Sequence, residues 1–317
     1  MKLFFNIAAP FTALFFIWPV PLQAQTPAAA TGTIRHFENF TSKYVAPRTV
    51  DVWLPPGYDS TRKYAVLYMH DGGSLYDSSI TWNHQEWGVD ETVSQLIKEK
   101  KINNCIVVGI WNTGETRHNE YLPQQPFEML SPAEKDTLFA ARRIWGQPVF
   151  VKHDIRSDNY LKFIVQELKP FIDKNFSTSG SRANTFIAGS SMGGLISLYA
   201  ICEYPGVFGG AACLSTHWPG IFRKENNPFP AVMLRYLEAN LPSPAGHRIY
   251  MDIGTATLDS LYAPYQEAVN KLMRERGYTS GNWASLVYPG ADHSERAWNK
   301  RLATPLIFLL RKNHYPE

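Results

Sequence analysis

The sequence has little excess charge of either sign, with 31 Lys and Arg against 28 Asp and Glu leaving +3 over 317 residues. Nucleic-acid binders concentrate Lys and Arg, so this balance gives no electrostatic footprint for such a partner. The low hydrophobicity of a disordered chain is also missing, since apolar residues make up 44% and charged residues 19%. Cysteine is scarce. Cys105, Cys202 and Cys213 permit at most one disulfide with a thiol left over. Each stands in an apolar run, which favours buried thiols over a Cys202–Cys213 bridge. No H-E-x-x-H pair or equivalent cluster is present, so His70 and Asp71 lack the company a metal site requires. Internal repeats and low-complexity linkers are absent as well.

Long apolar runs are missing everywhere except at the start. Met1-Lys2 gives a short positive end, an apolar run follows from Leu3 to about Pro21, and small Ala24 precedes Gln25-Thr26-Pro27. This pattern reads as a secretory signal peptide over residues 1–24, hence a secreted or periplasmic protein. Pro10, Pro19 and Pro21 interrupt the run and no basic flank follows it, which argues against an uncleaved anchor. No membrane span is expected after cleavage. Residues 25–44 then read as a leader, small and polar from Thr26 to Gly32, before a single domain over 45–317.

Within that domain, short apolar β-type runs alternate with helical ones. Ala65–Met69 is a near-continuous apolar run of the kind a sheet covered on both faces requires, and Ile106–Ile110, Thr185–Ala188, Gly210–Leu214 and Arg248–Asp252 read as further strands. Val50–Leu54 and Ala284–Tyr288 add two more. Helical spacing appears over Gly88–Glu99, Asp158–Asn175, Gly193–Glu203, Tyr262–Gly277 and Trp298–Leu310. Alternation of this kind predicts an α/β fold with a mostly parallel central sheet and helices on both faces. The stretch 123–156, carrying Pro123, Pro126, Pro132 and Pro148, fits the alternation least and reads as an insertion, either an active-site lid or a surface excursion.

Chemistry concentrates in Gly189-Ser190-Ser191-Met192-Gly193-Gly194, a G-x-S-x-G turn between an apolar strand and a helical run. Such a turn is tight enough to demand glycine at its flanks and exposes Ser191 beside a helix N-terminus. A serine nucleophile needs a base and an orienting carboxylate, here in the chain order Ser, acid, His. Of the histidines after Ser191, His293 lies just past the last strand and is the favoured base; His217, past the strand after the nucleophile, reads as a pocket wall. Asp252 and Asp259 compete for the acid. Asp252, at a strand end, suits turn-holding, so Asp259, further out in the loop, is favoured; Asp292 adjoins His293 and would diverge from its ring. An oxyanion needs backbone donors, assigned to Met192 N–H and to Gly73 N–H in the turn Met69-His70-Asp71-Gly72-Gly73-Ser74. Trp111 and Trp218 directly follow strands on the catalytic edge and are the aromatic candidates for substrate binding. Arg117 would either bind a substrate carboxylate or pair with Glu120, the pairing being favoured.

These residues carry a resemblance. Pro47–Val50 with Leu54–Tyr58, Met69–Gly73, Arg117 with Glu120–Pro123, Gly189–Gly194 and Gly290–His293 together resemble the esterase D, feruloyl esterase and enterochelin esterase-like family of α/β-hydrolases, from about Val45 to Leu310. The resemblance implies an α/β-hydrolase fold and a Ser-His-Asp esterase without metal or organic cofactor. It maps nucleophile and base onto Ser191 and His293. The expected substrate is a small-molecule or carbohydrate-linked ester. Two readings stand beside hydrolysis: acyl transfer to a sugar or lipid alcohol, and a non-catalytic binding protein on the same fold.

Overall fold

A computed structural model describes residues 26–143, 146–222 and 225–311. The proposed signal peptide lies outside them. Eight strands form one sheet: β1 (Thr33–Phe40), β2 (Arg48–Leu54), β3 (Ala65–His70), β4 (Cys105–Ile110), β5 (Thr185–Ser190), β6 (Gly210–Leu214), β7 (Arg248–Gly254) and β8 (Trp283–Tyr288). Their order is β1-β2-β4-β3-β5-β6-β7-β8. The β1–β2 and β2–β4 pairings are antiparallel and every other pairing is parallel. This is the expected α/β-hydrolase architecture. Strands β3 to β6 are buried along their whole length, as their unbroken apolar runs require.

Two hydrophobic clusters occupy the two faces. One gathers Val66, Tyr68, Ile106, Val108 and Ile187 with Leu195, Tyr199 and Phe163. The other gathers Leu67, Met69, Val107 and Ala188 with Val93, Leu306 and Leu309. Alternate residues of one strand therefore feed opposite layers, as the two-residue period of a strand dictates. Cys105, Cys202 and Cys213 are free and buried in these layers, and burial pushes the Cys105 thiol up to about 12.

Three local departures from the sequence reading matter. Thr33–Phe40, within the expected leader, is the edge strand β1, tied to β2 from Thr33–Leu54 to Phe40–Arg48. The helix Phe229–Asn240 has no counterpart in the sequence reading. The closing helix is two pieces, Glu295–Asn299 and Ala303–Leu310. Pro305 explains the break, because proline lacks the N–H to continue a helix and fits only its first turn. The break points Arg301 inward, 5% exposed.

The 123–156 stretch folds as helices Gln124–Glu128 and Pro132–Phe139 followed by an Arg142–Pro148 bridge. Phe127, Leu130, Leu138, Val149, Phe150 and Ile155 are buried in the main cluster. Asn119 clamps its far end, donating to Val151 O and Asp154 O and accepting from Val151 N. The described part of this stretch is thus packed into the body of the fold.

Candidate active site

Strand β5 ends at Ser190, and the helix Met192–Glu203 starts two residues later. Ser191 between them has φ 58° and ψ −123°, a backbone state costing an L residue about 1–3 kcal/mol. Three bonds hold it there: Ser191 N–H donates to Leu214 O at 2.9 Å, while Ser191 O accepts from Leu195 N and His217 N, each at 3.1 Å. The glycines are needed for space. A Cβ at Gly189 would lie 2.8 Å from the Gly193 backbone, and one at Gly194 3.0 Å from Thr216 Oγ1. Met192 takes the first position of the helix, so its N–H belongs to the helix end that carries partial positive charge.

The loops after β7 and β8 bring acid and base together. Asp259 sits in the turn Thr257–Leu261, fully buried. Its Oδ1 lies 2.5 Å from His293 Nδ1, and its Oδ2 accepts from Gly254 N and Ser215 Oγ, each at 2.5 Å. Burial alone would raise this carboxyl, but the His293 bond and charge, then the Ser215 and Gly254 donors, outweigh it and hold it below the usual range. An ionised Asp259 fixes His293 with its proton on Nδ1 and leaves Nε2 as the basic nitrogen. The two loops are fastened by Thr255 N and Ala256 N donating to Ala291 O, and by His293 N donating to Thr257 Oγ1 at 2.9 Å. Asp252 instead accepts from Ser215 N, Tyr250 OH and Arg301. Asp292 turns to Ser294 and Arg296. Of the two competing acids, only Asp259 reaches the histidine.

On the other side, Gly72 and Gly73 open the short helix Gly72–Ser74 after β3. Both lie on Trp111: a Cβ at Gly73 would meet its ring at 3.1 Å, and one at Gly72 would come within 2.7 Å of the β4 backbone. Trp111 donates its indole N–H to buried Asp51 at 2.6 Å, so it forms the floor under the proposed oxyanion turn. Asp71, in the left-handed region at φ 58°, is held by Arg117 through two bonds of 2.7 Å. This corrects the expected Arg117–Glu120 pairing, because Glu120 is taken by Arg48 in a bidentate pair of 2.8 and 2.7 Å. His70 contacts Tyr160 OH at 2.8 Å, and burial drives its pKa to about 3.

Two further expectations meet the structure differently. His217 is buried against Tyr262 OH at 2.6 Å, and burial followed by the nearby His293 charge lowers it to about 3, so it is a neutral ring beside the site. Trp218, the other aromatic candidate for substrate binding, is 2% exposed and its indole N–H reaches Gln266 at 3.2 Å, placing it against the helix Ala263–Glu275. Sequence reasoning missed Ser215. This residue follows β6 with φ 43° and donates to Asp259, while its Oγ accepts from Trp298 Nε1 at 3.0 Å and Arg301 Nη2 at 2.8 Å. Trp298 also packs edge-on against His293 at 5.1 Å. The available signal was position alone, since Ser215 is the first residue past a strand on the catalytic edge.

Comparison with known proteins follows the same lines. A family model described as "Putative esterase" matches residues 42–309. The chain is 23% identical over 273 residues to the uncharacterized protein YbbA of Bacillus subtilis, covering 84% of this chain and 94% of that one. Among solved structures, the feruloyl esterase module from Clostridium thermocellum, an S954A mutant complexed with sinapinate, superposes with a TM-score of 0.61 at 17% identity, covering 95% of this chain and 96% of that one. The BES protein from Bacillus cereus gives 0.63 at 17%, covering 91% and 99%. At these identities the likeness is one of fold.

Proposed function

The chain belongs to the Putative esterase family, and from that premise we propose that it hydrolyses carboxylic esters through an acyl-enzyme on Ser191. The observation that carries the reading is the 2.5 Å bond between buried Asp259 and His293, on loops at the same sheet edge as the strained Ser191 turn. His293 Nε2 takes the Ser191 hydroxyl proton as the oxygen attacks the ester carbonyl. The tetrahedral oxyanion receives the Met192 and Gly73 N–H groups. The imidazolium gives its proton to the departing alcohol, and the neutral imidazole so regenerated takes a proton from the water that attacks the acyl-enzyme and returns it to Ser191 as the acid leaves. Asp259 stays ionised throughout and stabilises the imidazolium. Metal ions and organic cofactors have no part in these steps. The substrate is a small-molecule or carbohydrate-linked ester, and water is the acyl acceptor.

Turnover of p-nitrophenyl acetate tests the mechanism. Ser191→Ala is expected to abolish it together with covalent labelling by a fluorophosphonate; a variant as fast as the native chain would refute the reading. Product analysis with competing alcohols separates hydrolysis from acyl transfer. We also propose that the protein acts after export, supported by Lys2, the apolar run and Ala24. The mature chain should then begin at Gln25 by N-terminal mass spectrometry, and a secreted form still starting at Met1 would overturn this.

A further inference from the structure

A cleft of about 1000 Å³ opens between the second half of the 123–156 stretch and Gly114-Glu115, and the mechanism above makes no use of it. Phe139 and Phe150 form its apolar base, packed edge-on at 5.8 Å, with His153 stacked on Phe139 at 4.6 Å. Arg142, Arg143 and Lys152 stand around it. Among the described residues none of these three cations is paired with a carboxylate. Arg142 reaches only the backbone carbonyls of Phe139 and Ala141, and Arg143 reaches His118. Glu115 is the one acid in the lining.

Behind the lining lies His118, 3% exposed, its ring 6.3 Å from Phe150. Burial, and then the charges of Arg117 and Arg143, keep this imidazole neutral. Its Nδ1 faces Arg143 Nη2 at 3.4 Å. A guanidinium can only donate, so Nδ1 accepts and the ring proton sits on Nε2. That Nε2 is buried with no partner. Arg142, Arg143 and Lys152 thus offer hydrogen-bond donors and positive charge, with Glu115 the one acid beside them in the lining. The place is also close to the reaction. Phe222 lies 5.5 Å from the His118 ring and 5.4 Å from the His217 ring, and His217 N–H bonds Ser191 O.

We propose that this cleft binds a carboxylate carried by the ester substrate at a distance from its scissile bond. The inference rests on the esterase reading and narrows its substrate class. Arg143, backed by His118 Nδ1, receives the carboxylate, Arg142 and Lys152 add charge, and the phenylalanines take the apolar stem that leads to it.

The test compares p-nitrophenyl half-esters of straight-chain dicarboxylic acids, glutarate to sebacate, with the same esters capped as methyl esters. The quantity read is the ratio of kcat/KM for the charged over the capped member, so an overall loss of activity in a variant cancels. The native chain should favour the charged member, most strongly at the longer chains, and added salt should erode the preference. Arg143→Gln combined with Lys152→Gln should lower the ratio about tenfold, and His118→Phe should lower it while keeping an aromatic ring in place. Ratios near one in the native chain, or ratios the variants leave unchanged, overturn the proposal while leaving the esterase reading intact. If neither ester is turned over, the esterase reading fails by itself. Calorimetric binding of monomethyl sebacate then decides the cleft: binding lost in the double variant supports it, and no binding to the native chain overturns it.

Discussion

Two aspartate–arginine pairs flank Ser191, one behind each half of the proposed machinery. Asp252–Arg301, at 2.8 Å with side chains 0% and 3% exposed, stands behind the acid. Asp71–Arg117, at 2.7 Å with side chains 17% and 21% exposed, holds the turn that carries Gly73. Similar partners at similar distances behave oppositely. For Asp71 the charge and hydrogen bonds of Arg117, with Asn112, overcome burial and bring the carboxyl below its ordinary range. For Asp252 burial prevails over Arg301, Tyr250 and Ser215, and the carboxyl stays above it. Desolvation is the largest influence on both carboxyls; Arg117 and Asn112 offset it for Asp71, while Arg301, Tyr250 and Ser215 do not for Asp252, so the Asp252 pair contributes rigidity more than stability. That suits its position, because Ser215 links it directly to Asp259 through Arg301 Nη2.

The comparison can be broken at several points. The largest effect is expected from Asp259→Asn, which leaves the fold in place but removes the anion that sets the His293 tautomer; kcat should fall about 10⁴-fold in steady-state assays. Arg301→Met leaves Asp252 buried without its cation and should cost about 3–5 kcal/mol in denaturant unfolding, whereas Arg117→Met, at the more exposed pair, should cost clearly less. Equal losses would remove the distinction between the two pairs.

Ser215→Ala is the subtler change. Asp259 loses one donor, so its carboxyl moves back up toward the usual range, and kcat should fall about tenfold with KM little altered. Because Ser215 acts through Asp259, the loss should be greater at acidic than at neutral pH; a uniform loss across the pH profile would mean a structural role only. The smallest effect is expected from Asp71→Asn. A carboxyl held below its unfolded value contributes stability above that unfolded value and loses it as pH falls through the folded one. The variant should therefore flatten the acid side of the stability curve, read as thermal unfolding from about pH 5 to about pH 2.

The proposed site was legible in the sequence to the extent that it is local. Gly189, Ser191 and Gly193 share one turn, and a strand before it with a helix after it is a pattern of neighbouring residues. His293 and Asp259 could be ranked because parallel strands deliver their following loops to one edge. What escaped were residues recognised only across the chain. Arg117 had a plausible partner three residues away in Glu120, yet Glu120 is claimed by Arg48 from β2. Trp218 follows a strand on the catalytic edge, as Trp111 does, but its ring turns into the packing against Gln266. Strand β1 reads as polar because an edge strand is half-exposed along its length, and its identity comes from backbone bonds to β2.

By itself, the sequence determined the alternating architecture, the strand–turn–helix around Ser191 and the chain order of the proposed reactive groups, since each follows from local sterics and the period of apolar residues. Tertiary structure decided which of two aspartates meets His293, which arginine holds which acid, and where Ser215 and Arg301 join the network. The physical reason is that hydrogen bonds and ion pairs are settled by distances of a few ångströms between loops far apart in the chain, and spacing along the chain does not set those distances.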